Sequence, residues 1–157
     1  MEGRIFRQRQ VVNDVLNSVN EHCSDEERQQ IVQGLVGYNS LHAPPENYRE
    51  LSVLSRCADR LIGGLFGYTH WNWLFIKQLW VEETFQRHGI GSSLMRMAEQ
   101  EALRRGCQHA HCDTFDFQAL PFYQAHGYEI FGQLDEYPAG HSRYFLQKQN
   151  LNEIGNR

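Results

Sequence analysis

Residues 79–92 have the sequence LWVEETFQRHGIGS, in which an apolar run, a short polar segment and two glycines follow one another. Leu79 and Val81 close a strand-like run that begins at Trp73, and Gly89 opens a helix-like segment that lasts to Arg105. Helix N-termini carry unpaired N–H groups, and glycine lets a bulky anion approach them. The segment therefore indicates a phosphate site, although an ordinary tight turn into a helix would fit the same residues.

The pattern on either side of this segment predicts a mixed sheet. Strands are expected at about residues 51–57, 61–71, 73–81, 108–115, 128–134 and 143–148, and helices at about 89–105 and 117–126. The first three strands read as an antiparallel meander. Before them, Ser24 and Glu27 have the spacing of a capping box and start a helix that Pro44 ends, while residues 11–16 fit a strand or a helix equally well.

The sum is an α+β fold with a mostly antiparallel central sheet flanked by helices. We expect a single domain over residues 1–157, with a strand and helices in residues 1–50 and a sheet core in residues 51–150. One domain is what this length usually holds, and it excludes a TIM barrel.

A second motif lies downstream of the glycine-bearing segment, where Ala119, Tyr123, Gly127 and Tyr128 are spaced as Ala-x-x-x-Tyr-x-x-x-Gly-Tyr. Together with Gln86-Arg87-His88-Gly89-Ile90-Gly91, it resembles the paired motifs of the GNAT (Gcn5-related) N-acetyltransferases, which have Gln/Arg-x-x-Gly-x-Gly/Ala and Ala-x-x-x-Tyr-x-x-x-Gly-Phe. The resemblance covers about residues 60–148 and is weak before residue 50.

The resemblance implies a splayed βαβ site for acetyl-CoA and no metal. The pyrophosphate would lie on the N–H groups at the helix start, and the pantetheine arm would pair with the backbone of Leu79 and Val81. Tyr123 would protonate the departing thiolate. The implied cofactor-binding residues are Leu79, Val81, Gln86, Arg87, His88, Gly89, Ile90, Gly91, Ser92, Asp116 and Ala119.

Two positions depart from the family pattern. Asp116 stands where the family often has Asn, and a carboxylate cannot donate the hydrogen bond that an amide donates. Gln118 is a nearby substitute. Phe75 stands where some members have a glutamate base, so the family supplies no base here.

The resemblance implies direct attack by a primary amine of a small molecule or peptide on the thioester. Because an amine is mostly protonated near pH 7, a base is needed. The candidates are His70, Glu82, Glu83, His111 and Asp113. A non-catalytic acyl-CoA-binding module of the same fold is the first alternative, and a nucleotide site at Gly89-x-Gly91 is a minor one.

A further alternative is a metal-dependent hydrolase. Cys107, His109, His111 and Asp113 alternate, so on a strand they would share one face. Successive members would be about 6.6 Å apart, which lets at most two of them reach one ion. An aromatic cluster from Phe66 to Trp80 is consistent with core, with a substrate wall or with a dimer surface.

Composition limits the partners. The net charge is −4, which argues against nucleic acid and mildly favours a cationic acceptor. No apolar run approaches the ~20 residues that a membrane span needs. The four cysteines form no CxxC pair, and the N-terminus has no apolar signal segment. We therefore expect a cytoplasmic protein with reduced thiols, and the resemblance leaves a homodimer open.

Overall fold

The computed structural model describes residues 15–152. Contacts divide the chain into two units, residues 1–44 and residues 45–157. The elements are α1 (Asp25–His42), β1 (Arg49–Cys57), β2 (Arg60–His70), β3 (Trp73–Val81), α2 (Ile90–Arg104), β4 (His109–Phe115), α3 (Leu120–Ala125), β5 (Glu129–Asp135) and β6 (Ser142–Lys148).

The first unit contains α1, which begins as its sequence predicts. The Ser24 side chain accepts a hydrogen bond from the Glu27 N–H at 3.1 Å, and the Glu27 carboxylate accepts one from the Ser24 N–H at 2.9 Å. This reciprocal pair is the capping box. Of the expected element at residues 11–16, residues 11–14 lie outside the described part, and Val15 and Leu16 are in neither strand nor helix.

The second unit contains a six-stranded sheet in the order β1-β2-β3-β4-β6-β5. All neighbouring strands are antiparallel except β3 and β4, which are parallel. Parallel neighbours need a crossover connection, and α2 supplies it. The α+β fold with a mostly antiparallel sheet is confirmed.

The core of this unit lies where α2 packs on one face of the sheet. Leu65 of β2, Leu74 of β3, Leu94 and Ala98 of α2 and Leu146 of β6 are all buried there. The strands alternate buried and accessible residues, as β4 does over its whole length. One face of the sheet therefore packs against α2.

Two boundaries differ from the sequence prediction. The helix expected over residues 117–126 extends only from Leu120 to Ala125. Pro121 explains its start, because proline is tolerated only in the first turn of a helix. The strand expected from residue 108 begins at His109, and Cys107 precedes it and is buried in the core.

None of the described helices combines the length and the apolar character that crossing a membrane requires.

Candidate active site

The site begins where β3 and β4 separate. Their parallel pairing extends from Trp73 opposite His109 to Ile76 opposite Cys112. Beyond this point β3 continues to Val81, and β4 continues to Phe115 in pairing with β6 alone. The backbone of Leu79 and Val81 on the β4 side is thus left without a strand partner among the described residues.

A cavity of about 440 Å³ occupies this opening. The residues that line it come from the end of β3, the loop after it, the first turn of α2 and the region of α3. They are Leu79, Trp80, Val81, Gln86, Arg87, Gly89, Gly91, Ser92, Ala119, Phe122 and Tyr123. We call this cavity the groove.

Backbone N–H groups are the main polar feature of the loop. The Gln86 N–H donates to Glu83 O at 3.2 Å and the Ser93 N–H donates to Gly89 O at 2.9 Å. Within the described part of the chain, the N–H groups of residues 87–92 donate to no carbonyl or side chain. Arg87 at φ 60° and Gly89 at φ 80° both have left-handed backbone. Consecutive unpaired donors at a helix start form a cradle for an anion.

Side chains hold the loop in this shape. The Gln86 Nε2 donates to Val81 O at 2.9 Å, which ties the loop to the end of β3. His88 Nδ1 lies 2.7 Å from Gln86 O, and Ile90 packs against the core. Neither His88 nor Ile90 lines the groove, so the structure places these two predicted residues behind the cradle.

The two glycines of the motif have different roles. A Cβ at Gly91 would lie 3.3 Å from the Phe122 ring, so α2 and α3 approach closely there. A Cβ at Gly89 would meet nothing within 4 Å, but its φ of +80° disfavours any side chain. Gly89 is therefore required by the backbone and Gly91 by packing.

Tyr123 is buried in α3 and lines the groove. Burial raises the pKa of its phenol well above the usual range, and nearby Cys112 and Asp113 add to the rise. The hydroxyl consequently keeps its proton at neutral pH. A proton donor for a departing thiolate must hold its proton in this way.

Asp116 lies away from this arrangement. Its carboxylate is 3.0 Å from His141 Nδ1, and the residue does not line the groove. The suggested substitute, Gln118, accepts a hydrogen bond from the Phe115 N–H at 3.2 Å through its side-chain oxygen. The Asp116 side chain is thus engaged with the β5–β6 turn, and the Gln118 side chain with the end of β4.

The candidate bases differ in what holds them. Glu82 forms an ion pair with Arg60 at 2.8 Å, and Glu83 lies in a short 3-10 turn. Asp113 accepts from Arg143 Nε at 2.8 Å.

The two histidine candidates lie near each other in the sheet. His70 is 3.5 Å from the carboxylate of Glu46. His111 is half-buried, stacks on the Phe75 ring at 4.6 Å and has no hydrogen-bond or ion-pair partner within residues 15–152. Burial lowers the pKa of His111, although Asp113 opposes the shift. His111 is thus a neutral imidazole at neutral pH, and its unprotonated ring nitrogen can accept a proton.

Cysteine chemistry and metal binding find no support in the described residues. Burial, with a contribution from Asp113, raises the pKa of the Cys112 thiol far above its usual range. Cys107 is buried away from His109 and His111, and no group of three His, Cys, Asp or Glu side chains in residues 15–152 has a geometry that could hold a metal ion.

Phe122 and Trp80 line the groove, and neither was predicted as a cofactor-binding residue. Phe122 had a signal, because it directly precedes Tyr123 in the second motif. Trp80 had none, because strand alternation places it on the opposite face from Leu79 and Val81.

The family model for the acetyltransferase (GNAT) family matches residues 24–128, which is more than half of the chain. The chain belongs to the GNAT acetyltransferase family. The resemblance drawn from the two motifs is confirmed, and so are the GNAT-like sheet and its splayed βαβ unit. Members of the family use acetyl-CoA, and the chain is an acetyltransferase in this broad sense.

Similar proteins agree with this membership. An acetyltransferase of Agrobacterium fabrum is 34% identical over 136 residues, which are 85% of this chain and 99% of that protein. The blasticidin-S acetyltransferase of Streptomyces morookaense is 37% identical over 103 residues, which are 64% of this chain and 76% of that protein. The crystal structure of an acetyltransferase from Bacillus cereus matches with a TM-score of 0.76 at 30% identity, covering 83% of this chain and 96% of that one.

Proposed function

We propose that this GNAT protein is an acetyl-CoA-dependent N-acetyltransferase that acetylates a primary amine of a small molecule or a peptide by direct attack on the thioester. The observation that carries the proposal is the groove, because a cradle of unpaired N–H groups and a protonated tyrosine line the same cavity. The relative named for blasticidin S supports a small-molecule acceptor over a peptide.

The residues present fit the cosubstrate. The N–H groups of residues 87–92 would hold the pyrophosphate, with Arg87 adding charge. The backbone of Leu79 and the N–H of Val81 would pair with the amides of the pantetheine arm, while Val81 O already accepts a hydrogen bond from Gln86 Nε2. Gln86, Gly89, Gly91, Ser92 and Ala119 would form the walls. His88, Ile90 and Asp116 would act through the loops that they hold, rather than by contact.

Acetyl-CoA supplies an activated acetyl group whose carbonyl carbon accepts the amine and whose thiolate departs. His111 takes one proton from the attacking nitrogen as the C–N bond forms. Tyr123 gives its proton to the sulfur as the C–S bond breaks, and both side chains then return to their starting states by exchange with water. A neutral imidazole and a protonated phenol are the states that these two steps require.

The compartment and the assembly belong to the same proposal. All four cysteines are free, and Cys23 and Cys57 are exposed. Exposed thiols suit a reducing environment, so we assign the protein to the cytoplasm. A homodimer stays a prediction of the family resemblance.

The experiment is a panel assay of free thiol released from acetyl-CoA. The panel contains aminoglycosides, polyamines, amine-bearing nucleoside antibiotics and lysine peptides, with reactions lacking amine as the blank. We expect amine-dependent release and a product that is heavier by one acetyl group in mass spectrometry. Tight binding of acetyl-CoA without turnover on any amine would instead identify a non-catalytic acyl-CoA-binding module.

A further inference from the structure

A second cavity lies at the turn end of the β2–β3 hairpin, in the same unit as the groove. It has a volume of about 170 Å³ and is lined by aromatic rings: Tyr68, His70, Trp71, Trp73, Phe75 and His111. We call it the aromatic pocket. It shares no residue with the groove.

The rings are arranged as walls, with space left between them. Phe75 stacks on His111 at 4.6 Å, and Trp73 meets His111 edge to face at 5.9 Å. Tyr68 meets Phe75 edge to face at 5.2 Å. These rings are only partly buried, so part of their surface is open to a ligand.

The turn that carries Trp71 is held in an unusual conformation. Trp71 at φ 43° and Asn72 at φ 64° both have left-handed backbone. A bulky residue adopts this region at an energetic cost, and hairpin turns of this kind normally use Asn or Gly. The Trp71 ring lies 4.3 Å from His70, so the strained turn adds a wall to the pocket. Such strain is typical of binding sites.

Charge identifies the ligand class. The lining contains no lysine or arginine, and the Glu46 carboxylate lies 3.5 Å from His70 Nε2. Asp113 lies two residues beyond His111, and Arg143 compensates its charge. Aromatic faces attract cations through the ring quadrupole. Rings with a carboxylate at their edge, and without a lysine or arginine in the lining, favour a positively charged organic group.

The pocket lies within reach of the groove along β3. Phe75 and Leu79 are four residues apart on this strand, which corresponds to about 13 Å. His111, the base of the proposed function, lines the pocket. A flexible acceptor bound in the pocket could therefore extend an amine towards the point where β3 and β4 separate.

We propose that the aromatic pocket binds an organic cation, namely a protonated amine or guanidinium group of the acceptor that is remote from the nitrogen to be acetylated. The assignment to the acceptor rests on the proposed function, whereas binding of the cation does not.

The first experiment measures binding in the absence of acetyl-CoA. The full-length protein is titrated against choline and against its neutral carbon isostere, 3,3-dimethylbutan-1-ol, and broadening of the methyl proton resonances is followed by NMR. We expect choline to bind about tenfold more tightly than the isostere. Trp73→Leu removes the difference. Phe66→Leu keeps it, because Phe66 is an exposed ring of β2 outside the pocket. Equal binding of both probes, or equal loss in both variants, would overturn the proposal.

The second experiment measures turnover with nonane-1,9-diamine and with nonylamine, because a nine-carbon chain is long enough to extend from the pocket to the groove. We expect kcat/KM to be about tenfold higher for the diamine than for the monoamine, because the KM for the diamine is lower. Trp73→Leu should abolish this preference and leave the KM for acetyl-CoA unchanged. A preference that survives the substitution would contradict the assignment to the acceptor. If no amine is acetylated at all, the proposed function fails, and the choline titration still decides whether the pocket binds cations.

Sedimentation of the same variants completes the test. An unchanged sedimentation coefficient in Trp73→Leu supports a ligand pocket. A change in oligomeric state that accounts for the lost binding would show that the aromatic face is an interface between copies of the chain.

Discussion

At the scale of single residues, the chemistry depends on the alternation of β4. His111 and Cys112 are neighbours and therefore point to opposite faces of the sheet. Tyr123 belongs to the same core cluster as Cys112, whereas His111 lines the aromatic pocket. In the proposed reaction both side chains would therefore have to reach the same acyl carbon at the gap where β3 and β4 separate, His111 from the side of the aromatic pocket and Tyr123 from the side of the groove.

Replacing Tyr123 by Phe tests the acid. The hydroxyl is removed and the ring that packs in the core is kept, so we expect kcat to fall by about 100-fold or more. The dissociation constant for coenzyme A, measured by calorimetry, should stay within about twofold, since the N–H cradle is untouched. Tyr38→Phe in α1 is the control. Wild-type turnover in the Tyr123 variant would remove the acid assignment.

The pH dependence of kcat tests the base. Burial lowers the pKa of His111, so the imidazole is neutral above a midpoint that is below about 6.5 and is a cation below it. Only the neutral form accepts a proton, and kcat is expected to rise with pH through that midpoint. The ionisable groups around it are Asp113 and His109 on β4, with His70 and Tyr68 from β2.

The measurement uses a weakly basic acceptor amine, so that ionisation of the substrate does not overlap with that of the enzyme. His111→Gln should abolish the rise of kcat with pH at the acidic end of the profile and should lower the maximal kcat. His109→Gln, two residues earlier on the same face, should leave both features unchanged. A limb that persists in His111→Gln would point to another base.

At the scale of elements, the loop between β3 and α2 has two separable requirements. Gly91→Val places a side chain against Phe122, which lies 3.3 Å from the position of a Cβ. Because Phe122 lines the groove, we expect coenzyme A affinity to fall by more than about tenfold in calorimetry. This fall corresponds to a loss of ~1.4 kcal/mol or more in binding free energy.

The matched variant is Gly89→Ala. Its side chain meets open space, but the left-handed backbone costs about 1–2 kcal/mol in the free energy of unfolding. A side chain at position 91 is thus expected to lower coenzyme A affinity by crowding, whereas one at position 89 lowers stability through the backbone conformation. An equal loss of affinity in the two variants, or a loss in neither, would contradict this division.

A buried ion pair attaches α2 to β6, the strand next to the β5 edge of the sheet. The Glu99 carboxylate is 2.9 Å from Lys148 Nζ and accepts from the Tyr128 hydroxyl at 3.0 Å. Tyr128 stands where the family usually has Phe, and its hydroxyl adds a hydrogen bond to this carboxylate. The second motif is therefore coupled to α2 through this residue.

We expect Glu99→Ala to lower the free energy of unfolding by about 3–5 kcal/mol, because Lys148 is left without its buried partner. The double variant Glu99→Met with Lys148→Met should recover most of that loss, since it removes both charges together. Urea denaturation measures both. If the double variant is as unstable as the single one, the loss comes from packing and not from the unpaired charge.

At the scale of the whole molecule, local signals predicted the elements and tertiary contacts decided the details. Trp73–Val81 has the predicted bounds because its apolar run ends at polar residues on both sides. The helix expected from residue 117 begins at Leu120 instead, since the position of Pro121 outweighs the apolar pattern before it.

The site residues also divide into those that local motifs predict and those that only tertiary contacts bring together. The groove was predictable because Gly89, Gly91 and Tyr123 lie in two contiguous motifs. The aromatic cluster of β2 and β3 was one candidate for a substrate wall, but its meeting with His111 was not predictable, because Tyr68, Trp73 and His111 come from three strands and meet only through the sheet register. Only the register brings a residue of β4 beside residues that precede it by more than thirty positions.

Cys112 sits at the last paired position before the strands part, beside Tyr123, and its buried thiol stays protonated. A thiol that does not ionise cannot carry the acetyl group as a covalent intermediate. In the proposed direct transfer, donor and acceptor are therefore expected on the enzyme at the same time. Initial-velocity plots at varied concentrations of both should give intersecting lines, as a ternary complex requires, and parallel lines would mean that the acetyl group rests on the protein between two half-reactions.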